Sequence, residues 1–264
     1  MKKAIFFDID GTLVDIRGGI HEISERVAKI IKKLQSHGHY VFIATGRPYA
    51  FLDDKLKNFG FDGFILANGA QVVIDGETVY SDPIKKRIVN EITAEFEERK
   101  IQHILEGDTY SYMKESCREY YAFYDEVGVS REYMKSDYNI EEVDAHKVEV
   151  WCPDEATLDI CLSVIKRNPE CGHFSSINNK IVEIYSKQNT KAMGILKAIE
   201  YLNIPVDNTY AFGDGTNDIE MLEFVGCGIA MGNASEEVKK YANEITDSVH
   251  NDGVAIGIEK YVIA

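Results

Sequence analysis

Residues 4–12 read AIFFDIDGT, in which four apolar residues are followed by two aspartates separated by one residue. A short, unbroken apolar run is typical of a strand buried on both faces inside a parallel sheet. Asp8 and Asp10 come directly after the run, so two carboxylates are expected to crowd at the end of this strand. The pattern alone fits either a polar turn or a reactive site, and the rest of the chain distinguishes the two.

The segments around this first strand alternate between helix and strand patterns. Apolar residues spaced three or four apart predict a helix over 20–37, and unbroken apolar runs predict strands at Tyr40–Ala44 and Gly63–Ala67. The same alternation returns near the C-terminus, with strands predicted at 209–212 and 227–230. Strands that alternate with helices in this way predict an α/β fold, with a doubly wound, Rossmann-like parallel sheet.

The middle of the chain has a different pattern. An Asp-Gly pair at 75–76 predicts a tight hairpin, and beyond it strand-like pieces follow one another with only short turns. This predicts an antiparallel sheet with helices on one of its faces, in an α+β domain inserted into the first domain. We therefore expect a core domain built from 1–82 and 188–264, and an inserted cap domain at 83–187.

The composition limits the function. A formal net charge of −15 would repel a phosphate backbone, so nucleic acid is not an expected partner, and no pattern indicates a protein partner. Only four apolar residues lie between Lys3 and Asp8, too few for the apolar part of a signal peptide. No apolar run is long enough to span a membrane. We expect a cytoplasmic protein that does not contact the membrane.

Polar residues follow the carboxyl ends of several predicted strands, and a single lysine starts the helix that follows the inserted domain. Ligands bind at this edge of doubly wound sheets, so residues far apart in the sequence are expected to meet there. The residues are Asp8, Asp10, Thr45, Gly46, Arg47, Asn68, the run GDGTND at 213–218, and Lys191. Each cluster alone is a weak indication, and their common placement predicts one site.

Three of these residues are carboxylates that would be unstable side by side without a cation, namely Asp8, Asp10 and Asp214. Oxygen ligands suit a hard cation, and Mg²⁺ is commonly held by one or two carboxylates together with water and substrate phosphate. Phosphoryl transfer needs cationic groups to stabilise charge on the equatorial oxygens, and a nucleophile in line with the leaving group. The set therefore favours a magnesium-dependent phosphoryl-transfer site.

Four motifs resemble those of the haloacid dehalogenase superfamily of phosphatases. They are DIDGT at 8–12, ATGR at 44–47, the single Lys191 after the insertion, and GDGTND at 213–218. Further runs resemble the Cof-type branch, namely NGA at 68–70, GDGTNDIEML at 213–222, GIAMGNA at 228–234 and NDGVA at 251–255. Members of that branch carry a C2B-like α/β cap between the second and third motifs, where residues 83–187 fall.

The resemblance implies a role for each matching residue. Asp8 matches the nucleophile, which forms an aspartyl-phosphate, and Asp10 matches the general acid and base. The magnesium ligands would be the Asp8 carboxylate, the Asp10 backbone carbonyl and Asp214. The remaining roles are an outer-sphere position for Asp218 and phosphate binding by Thr45 and Lys191.

Further residues are expected on the substrate side, and several have a structural alternative. Thr45 is also a residue type that caps helix N-termini, a role compatible with phosphate binding. Arg47 is expected either to contact substrate or to pair with a surface acid, and Asn68 either to face the substrate or to cap the turn into the hairpin. Gly46 and Asn217 complete the expected substrate-binding set.

The expected function is therefore that of a Mg²⁺-dependent phosphatase acting on small phosphorylated metabolites, such as sugar phosphates. A phosphotransferase or mutase that uses the same intermediate is one alternative, and a non-catalytic metabolite-binding regulator is another. The inserted domain is expected to select the substrate, through loops among 108–125 and 174–181. The sequence does not indicate which metabolite is bound.

Overall fold

The computed structural model describes residues 2–126, 128–176 and 180–263, apart from the side chain of Ser176. The described chain divides into two compact units. The first comprises Met1–Gly46, Asp54–Tyr80 and Thr190–Ala264, and the second comprises Arg47–Asp53 and Ser81–Asn189. The predicted domain boundaries and their roles stay a prediction, and residues 177–179 of the second expected specificity loop lie outside the described residues.

Strands and helices are numbered in chain order. The strands are β1 (Ala4–Phe7), β2 (Tyr40–Ala44), β3 (Gly63–Leu66), β4 (Gln71–Ile74), β5 (Glu77–Ser81), β6 (His103–Glu106), β7 (Ser111–Tyr112), β8 (Met134–Lys135), β9 (Lys147–Trp151), β10 (Cys171–Ser176), β11 (Ile181–Ser186), β12 (Thr209–Gly213), β13 (Cys227–Ala230) and β14 (Glu244–Ile245). The helices are α1 (Glu25–Ser36), α2 (Asp54–Asn58), α3 (Lys86–Glu98), α4 (Arg118–Glu126), α5 (Glu155–Arg167), α6 (Lys191–Leu202), α7 (Ile219–Phe224), α8 (Glu236–Lys239) and α9 (Gly253–Gly257). Short 3₁₀ turns lie at Tyr49–Phe51, Ala67–Gly69, Ile140–Glu142, Val206–Asn208, Thr216–Asp218 and Val249–Asn251, and a π-helical turn at Ile258–Val262.

The first unit contains an eight-stranded sheet in the order β14-β13-β12-β1-β2-β3-β4-β5. The strands from β14 to β3 run parallel, and β4 runs antiparallel to β3. All four residues of β1 are fully buried, as expected of a central strand with neighbours on both sides. The prediction of an α/β fold with a doubly wound parallel sheet is confirmed.

The first predicted helix starts later than its apolar spacing suggests. It begins at Glu25 rather than near residue 20, because Ser24 is its N-cap and the Ser24 Oγ accepts a backbone N–H at 3.2 Å. Ile20 instead exchanges two backbone hydrogen bonds with Asp15, at 2.7 and 2.9 Å. The cap residue therefore decides the boundary, and the apolar pattern upstream of it belongs to a loop.

Two turns of the first unit depend on a left-handed backbone. The strand predicted to end at Ala67 ends one residue earlier, because Ala67 has a φ of 49°, which a strand cannot contain. Asp75 and Gly76 join β4 to β5 with φ values of 52° and 82°. Positive φ at both central residues is the geometry of a two-residue hairpin, so that prediction is confirmed.

The second unit contains a six-stranded sheet in the order β10-β11-β9-β6-β7-β8, antiparallel except between β7 and β8. One face carries Leu105, Val148 and Val182, which share a buried apolar cluster with residues of α3 and α5. The opposite face carries Ile104 and Ile181, which share another apolar cluster with α4. Helices therefore pack on both faces, and the prediction that they share one face is wrong.

The reason that α4 packs on the second face lies in its tyrosines. Tyr120 and Tyr124 are buried, with stacked rings, and both hydroxyls donate to Glu149 Oε2, at 3.1 and 2.5 Å. These phenols bury apolar rings and satisfy a buried carboxylate in the same place. The aromatic spacing of this segment predicts a helix, but it does not reveal the acidic partner on the sheet.

The face beneath α4 also holds a buried ionic cluster. The Lys147 ammonium lies 3.3 Å from Glu106, 3.2 Å from Glu149 and 3.1 Å from Glu183. Glu106 is fully buried, and neither of its carboxylate oxygens accepts a hydrogen bond from a described residue, although the Lys147 ammonium lies nearby. Three carboxylates thus share one ammonium in a place with little access to water.

The two ends of the second unit's long segment lie side by side. Asn189 Nδ2 donates to the backbone carbonyl of Asp82 at 2.9 Å, although the two residues are 107 positions apart. The side chain of Asn189 is buried, so this bond is shielded from water. The inserted segment therefore begins and ends at neighbouring points.

Candidate active site

The carboxyl ends of four neighbouring strands, β12, β1, β2 and β3, lie at one edge of the first unit's sheet. The backbone hydrogen bonds between neighbouring strands continue one residue past the strand ends. The Asp8 N–H donates to the Phe212 carbonyl at 3.0 Å, and the Thr45 N–H donates to the Ile65 carbonyl at 2.9 Å. The sheet register therefore brings the segments that carry Asp8, Thr45 and Asp214 to one edge, as predicted.

Lys191, the first residue of α6, lies at the centre of this edge. Its side chain is fully buried, and its Nζ donates to Asp8 Oδ1 at 2.5 Å and to Asp218 Oδ1 at 2.6 Å. Burial alone would lower the pKa of the Lys191 ammonium, but the carboxylates of Asp218 and Asp8 outweigh burial and raise it. The lysine is therefore charged, and it is held between two acids that lie on different elements.

Gly69 allows α6 to approach this edge. Thr190 caps α6 by accepting the N–H of Met193 on its Oγ1, at 3.2 Å, and so fixes the first turn that carries Lys191. A Cβ on Gly69 would lie 2.0 Å from the Thr190 carbonyl oxygen, and the φ of Gly69 is +94°. Both the close approach and the positive φ require glycine at this position.

Three carboxylates gather beside Lys191. Asp8, Asp214 and Asp218 each offer one oxygen, and these oxygens all lie within 4.8 Å of one another. Burial raises the pKa of Asp8 to about 8, and the Asp218 carboxylate adds to that rise while Lys191 opposes it. Burial likewise raises the pKa of Asp214 to about 6, against the hydrogen bond from Thr12. One ammonium does not balance three acids, of which Asp8 and Asp218 are buried and Asp214 is partly buried.

Asp218 differs from the other two acids because both of its oxygens have donors. Its Oδ1 accepts from Lys191, and its Oδ2 accepts the backbone N–H groups of Asp214 and Gly215, at 2.9 and 2.8 Å. Asp218 therefore fixes the loop that carries Asp214, and it orients the lysine at the same time. This arrangement leaves Asp8 and Asp214 as the acids better placed to offer an oxygen to a ligand.

Thr12 belongs to the site, although sequence reasoning gave it no role. Its buried Oγ1 donates to Asp214 Oδ1 at 2.9 Å, across 202 positions of the chain. The neighbouring Gly11 packs directly on the same carboxylate, since a Cβ there would lie 2.1 Å from Asp214 Oδ2. The only signal in the sequence was the hydroxyl residue two positions after Asp10, within DIDGT.

The other predicted residues of the first unit lie on the loops of the same edge. Asp10 is exposed, and its backbone pairs with that of Val14 in an isolated β-bridge. Thr45 is buried. Asn217 Nδ2 donates to Asn68 Oδ1 at 3.2 Å, so these two predicted residues are brought together. Asn68 has a left-handed φ of 55°, and Gly46 lies against its side chain.

Arg47 is the predicted site residue that falls in the second unit. Its Nη1 donates to the backbone carbonyl of Phe51 at 3.4 Å, within the same short segment. Phe51 in turn packs its ring on Tyr124 of α4, with 4.9 Å between ring centroids. The ATGR motif is thus divided, with Thr45 and Gly46 in one unit and Arg47 in the other.

The acidic cluster fits a metal ion. Its donors are all carboxylate oxygens, which suit a hard divalent cation. The raised pKa values of Asp8 and Asp214 show that negative charge at this edge is poorly compensated by the protein alone. The absence of a Cβ on Gly11 lets the Asp214 carboxylate pack directly against the loop that carries Asp8.

Comparison with known proteins settles the family. The family model of haloacid dehalogenase-like hydrolases matches the chain over residues 5–258. The chain belongs to this family. The resemblance of its motifs to haloacid dehalogenase phosphatases of the Cof-type branch is thereby confirmed.

Phosphatase relatives match the chain over nearly its whole length. It is 32% identical to the "Putative phosphatase YkrA" of Bacillus subtilis (strain 168), over 98% of this chain and 97% of that protein. It is 30% identical to the 5-amino-6-(5-phospho-D-ribitylamino)uracil phosphatase YitU of the same organism, over 97% and 96%. The solved structure of the subclass IIB sugar phosphatase BT4131 superposes with a TM-score of 0.79 at 28% identity, over 100% of both chains.

The family and its phosphatase relatives establish the enzyme class. The chain is a haloacid dehalogenase-type phosphatase, so the family favours an enzyme over the non-catalytic regulator. Phosphatases of this family act on small phosphorylated substrates. Among the described residues, every helix is too short or too polar to cross a membrane.

Proposed function

We propose that this phosphatase hydrolyses small phosphomonoesters with Mg²⁺ through an aspartyl-phosphate on Asp8. The observation that carries the proposal is the Lys191 ammonium, 2.5 Å from Asp8 and 2.6 Å from Asp218, with Asp214 in the same cluster. A carboxylate that attacks a phosphate dianion needs adjacent positive charge, which Lys191 supplies. Covalent catalysis then divides one difficult displacement into two easier ones.

In the first step, an oxygen of the Asp8 carboxylate attacks phosphorus, and the bond from phosphorus to the alcohol oxygen breaks. Asp10 gives its proton to the departing alkoxide, which leaves as the alcohol. Lys191 and Thr45 hold the phosphate oxygens during the transfer. Asp10 suits the proton-transfer role because it lies two residues beyond Asp8, on the exposed loop, where it can reach the leaving group.

In the second step, Asp10 removes a proton from a water molecule that attacks phosphorus. The bond between phosphorus and the Asp8 oxygen breaks, which releases inorganic phosphate and restores the Asp8 carboxylate. Asp10 is thereby protonated again and ready for the next substrate. A positioned acid and base of this kind contributes about 10²–10⁴-fold to the rate.

The residues proposed to hold Mg²⁺ are Asp8, the Asp10 backbone carbonyl and Asp214, with Asp218 in the outer sphere. When bound, the ion neutralises charge on the carboxylates and on the phosphate oxygens. The outer-sphere assignment is supported by the donors on both oxygens of Asp218. The Thr12 hydroxyl keeps the Asp214 carboxylate oriented by its hydrogen bond to Oδ1.

Sugar phosphates or related phosphorylated polyols are the proposed substrates. BT4131 is described as a sugar phosphatase, and YitU as a phosphatase of a phosphorylated ribityl compound. Gly46, Asn68 and Asn217 are proposed to contact the substrate, and the Asn68–Asn217 hydrogen bond supports a shared polar surface. Arg47 and the cap at 83–187 are proposed to contribute selectivity.

A burst experiment with p-nitrophenyl phosphate and Mg²⁺ tests the intermediate. The leaving group needs no protonation, so Asp10→Asn should release p-nitrophenol in a burst equal to the enzyme concentration and then stall. Asp8→Asn should give no burst, and Asp75→Asn, which changes an acid in the exposed hairpin turn, should match the wild type. Turnover that survives in Asp8→Asn would contradict the proposal.

A panel of phosphorylated metabolites tests the substrate class and the phosphotransferase alternative. We expect release of inorganic phosphate without an added acceptor, at the highest kcat/KM for phosphorylated sugars or polyols. Transfer to an added alcohol with little free phosphate would favour the phosphotransferase or mutase. A preference for phosphorylated proteins over every small molecule would overturn the substrate class.

A further inference from the structure

Two motifs of the Cof-type resemblance have no chemistry in the proposed mechanism. They are GIAMGNA at 228–234, which begins in β13, and NDGVA at 251–255, which leads into α9. Both lie in the first unit. The first motif contacts the two loops that carry the acids of the site, one after β1 and one after β12. The second follows the turn that anchors the first.

The first motif bonds to both acidic loops. The Met231 N–H donates to the carbonyl of Gly213 at 3.0 Å, and Gly213 immediately precedes Asp214. Two residues later, Asn233 Nδ2 donates to the carbonyl of Gly11 at 2.8 Å, across 222 positions of the chain. The short stretch from Met231 to Asn233 thus ties the loop after β1 to the loop after β12.

At Gly11 the two loops are in direct contact, so a small change in their separation affects the Asp214 carboxylate. A Cβ there would lie 2.1 Å from the Asp214 carboxylate, so the backbone of Gly11 is packed directly on this acid. Its φ of +89° is also one that only glycine adopts at little cost. A shift of the Gly11 peptide therefore changes the space around Asp214.

The other end of the Asn233 amide is anchored as well. Its Oδ1 accepts the N–H of Val249 at 3.0 Å, in the turn that precedes the NDGVA motif. The segment that follows is fixed to the start of α1, because Asp252 accepts from the hydroxyl of Ser24, the N-cap of that helix, at 2.5 Å. A side chain that must donate at one end and accept at the other suits asparagine in a single orientation.

We propose that Asn233 is a positioning residue that sets the separation between the Asp8–Gly11 loop and Asp214, and so sets the affinity of the site for Mg²⁺. The inference rests on the proposed function, since it assigns Asn233 to the metal site of that mechanism. The hydrogen bonds of Asn233 go to Gly11 and Val249, so it acts on the acids through the Gly11 carbonyl. The turn at Val249–Asn251, which leads into the NDGVA motif, supplies its anchor.

The effect is expected on metal affinity rather than on folding. Asn233 is exposed, so its hydrogen bonds add little to global stability. Groups that orient metal ligands without binding the metal themselves change metal affinity by about 10- to 100-fold when they are removed. We expect Asn233→Leu, which has a similar shape but neither donor nor acceptor, to weaken Mg²⁺ binding by about 10-fold.

The test is calorimetric titration of MgCl₂ into the substrate-free full-length protein, with thermal unfolding measured in EDTA. Val249→Pro removes the N–H that Asn233 Oδ1 accepts, at the first position of a 3₁₀ turn, and should give an intermediate loss. Asn243→Leu is the matched control, because exposed Asn243 also accepts a backbone N–H, from Gly228 at 2.7 Å. We expect the control to bind Mg²⁺ as the wild type does.

Each outcome decides the inference. Weaker Mg²⁺ binding in Asn233→Leu with a metal-free Tm like that of Asn243→Leu supports it. Unchanged binding in Asn233→Leu, an equal loss in Asn243→Leu, or a loss that only accompanies a large drop in metal-free Tm overturns it. A wild-type protein that binds no Mg²⁺ overturns the proposed metal function itself, a result distinct from unchanged binding in the variant.

Discussion

The Nζ of Lys191 lies 2.5 Å from Oδ1 of Asp8, and both side chains are buried. The pair joins the first residue after β1 to the first residue of α6, 183 positions apart. The same ammonium also forms an ion pair with Asp218. A group proposed for catalysis is therefore at the same time the counter-ion of two buried acids. Removing it should therefore affect stability and activity by separable amounts.

Lys191→Met should abolish turnover and destabilise the protein by about 3–5 kcal/mol, because it leaves buried carboxylates without their cation. Adding Asp218→Asn should restore part of the stability, since one uncompensated acid is removed, but it should restore no activity. Urea unfolding and phosphate release measure the two effects. A double variant no more stable than Lys191→Met alone would show that the ion pair has little structural importance.

Gly69→Ala should lower both stability and activity, because the new methyl group would lie 2.0 Å from the Thr190 carbonyl and push on the start of α6. Gly76→Ala is the matched control, since Gly76 also has a positive φ of 82° but no neighbour within 4 Å of the added Cβ. The control should cost about 1–2 kcal/mol from the backbone alone and leave kcat unchanged. Thermal unfolding and kcat for both variants check the difference.

Thr12→Val should raise the Mg²⁺ concentration needed for half-maximal activity by about 10-fold, because Asp214 loses the hydroxyl that orients it. Thr12→Ser keeps the hydroxyl and should retain most of the wild-type Mg²⁺ response. The measurement is activity against Mg²⁺ concentration for the three proteins. Equal curves for the valine and serine variants would show that the hydrogen bond does not control the site.

The ionic cluster in the second unit predicts a pH effect on stability. Burial raises the pKa of Glu106 well above its ordinary value, and Glu149 adds to the rise while Lys147 opposes it. The folded protein therefore holds a proton that the unfolded chain releases above the ordinary pKa of Glu. The stability linked to Glu106 is complete below that ordinary value and is lost as pH rises through the raised pKa.

Glu106→Gln tests that direction, because the amide resembles the protonated acid. The variant and the wild type should unfold at similar urea concentrations near about pH 4, and the variant should become the more stable one towards about pH 8. Glu149→Gln should instead destabilise the protein at neutral pH. Burial favours the neutral form of Glu149, but Lys147, Tyr124 and other donors outweigh it and lower its pKa. Parallel pH dependence in all three proteins would contradict the assignment.

The features that sequence reasoning predicted are those fixed by local patterns. Strand β1 and strand β13 have the predicted bounds. The first is an unbroken apolar run that ends at Asp8, and the second follows Gly226 directly. The meeting of Asp8 with Asp214 followed from one general rule, that parallel strands present their carboxyl ends at a common edge. Neither result required knowledge of side-chain contacts.

The features it missed depend on partners that are distant in sequence. Thr12 and Asn233 bond to atoms 202 and 222 positions away, and no local pattern encodes such a pairing. The position of α4 depends on Glu149, which lies on a strand where charged and apolar residues alternate. That alternation does not indicate a partner for the acid. The place of Arg47 in the second unit likewise results from packing rather than from its motif.

The hydrogen bond between Asn189 and Asp82 has a consequence for folding and for evolution. Strand β1 must pair with β12, so Ala4 has to find Thr209 across most of the chain. Loop-closure entropy grows only slowly, by about 0.6 kcal/mol for each doubling of loop length, and a loop with joined ends acts as a much shorter one. Once the inserted segment has folded, its two ends lie side by side. The chain between β1 and β12 then behaves, for loop closure, like a shorter connection. Insertions of different length and sequence between these two points would then leave the entropy of assembling the active site nearly unchanged.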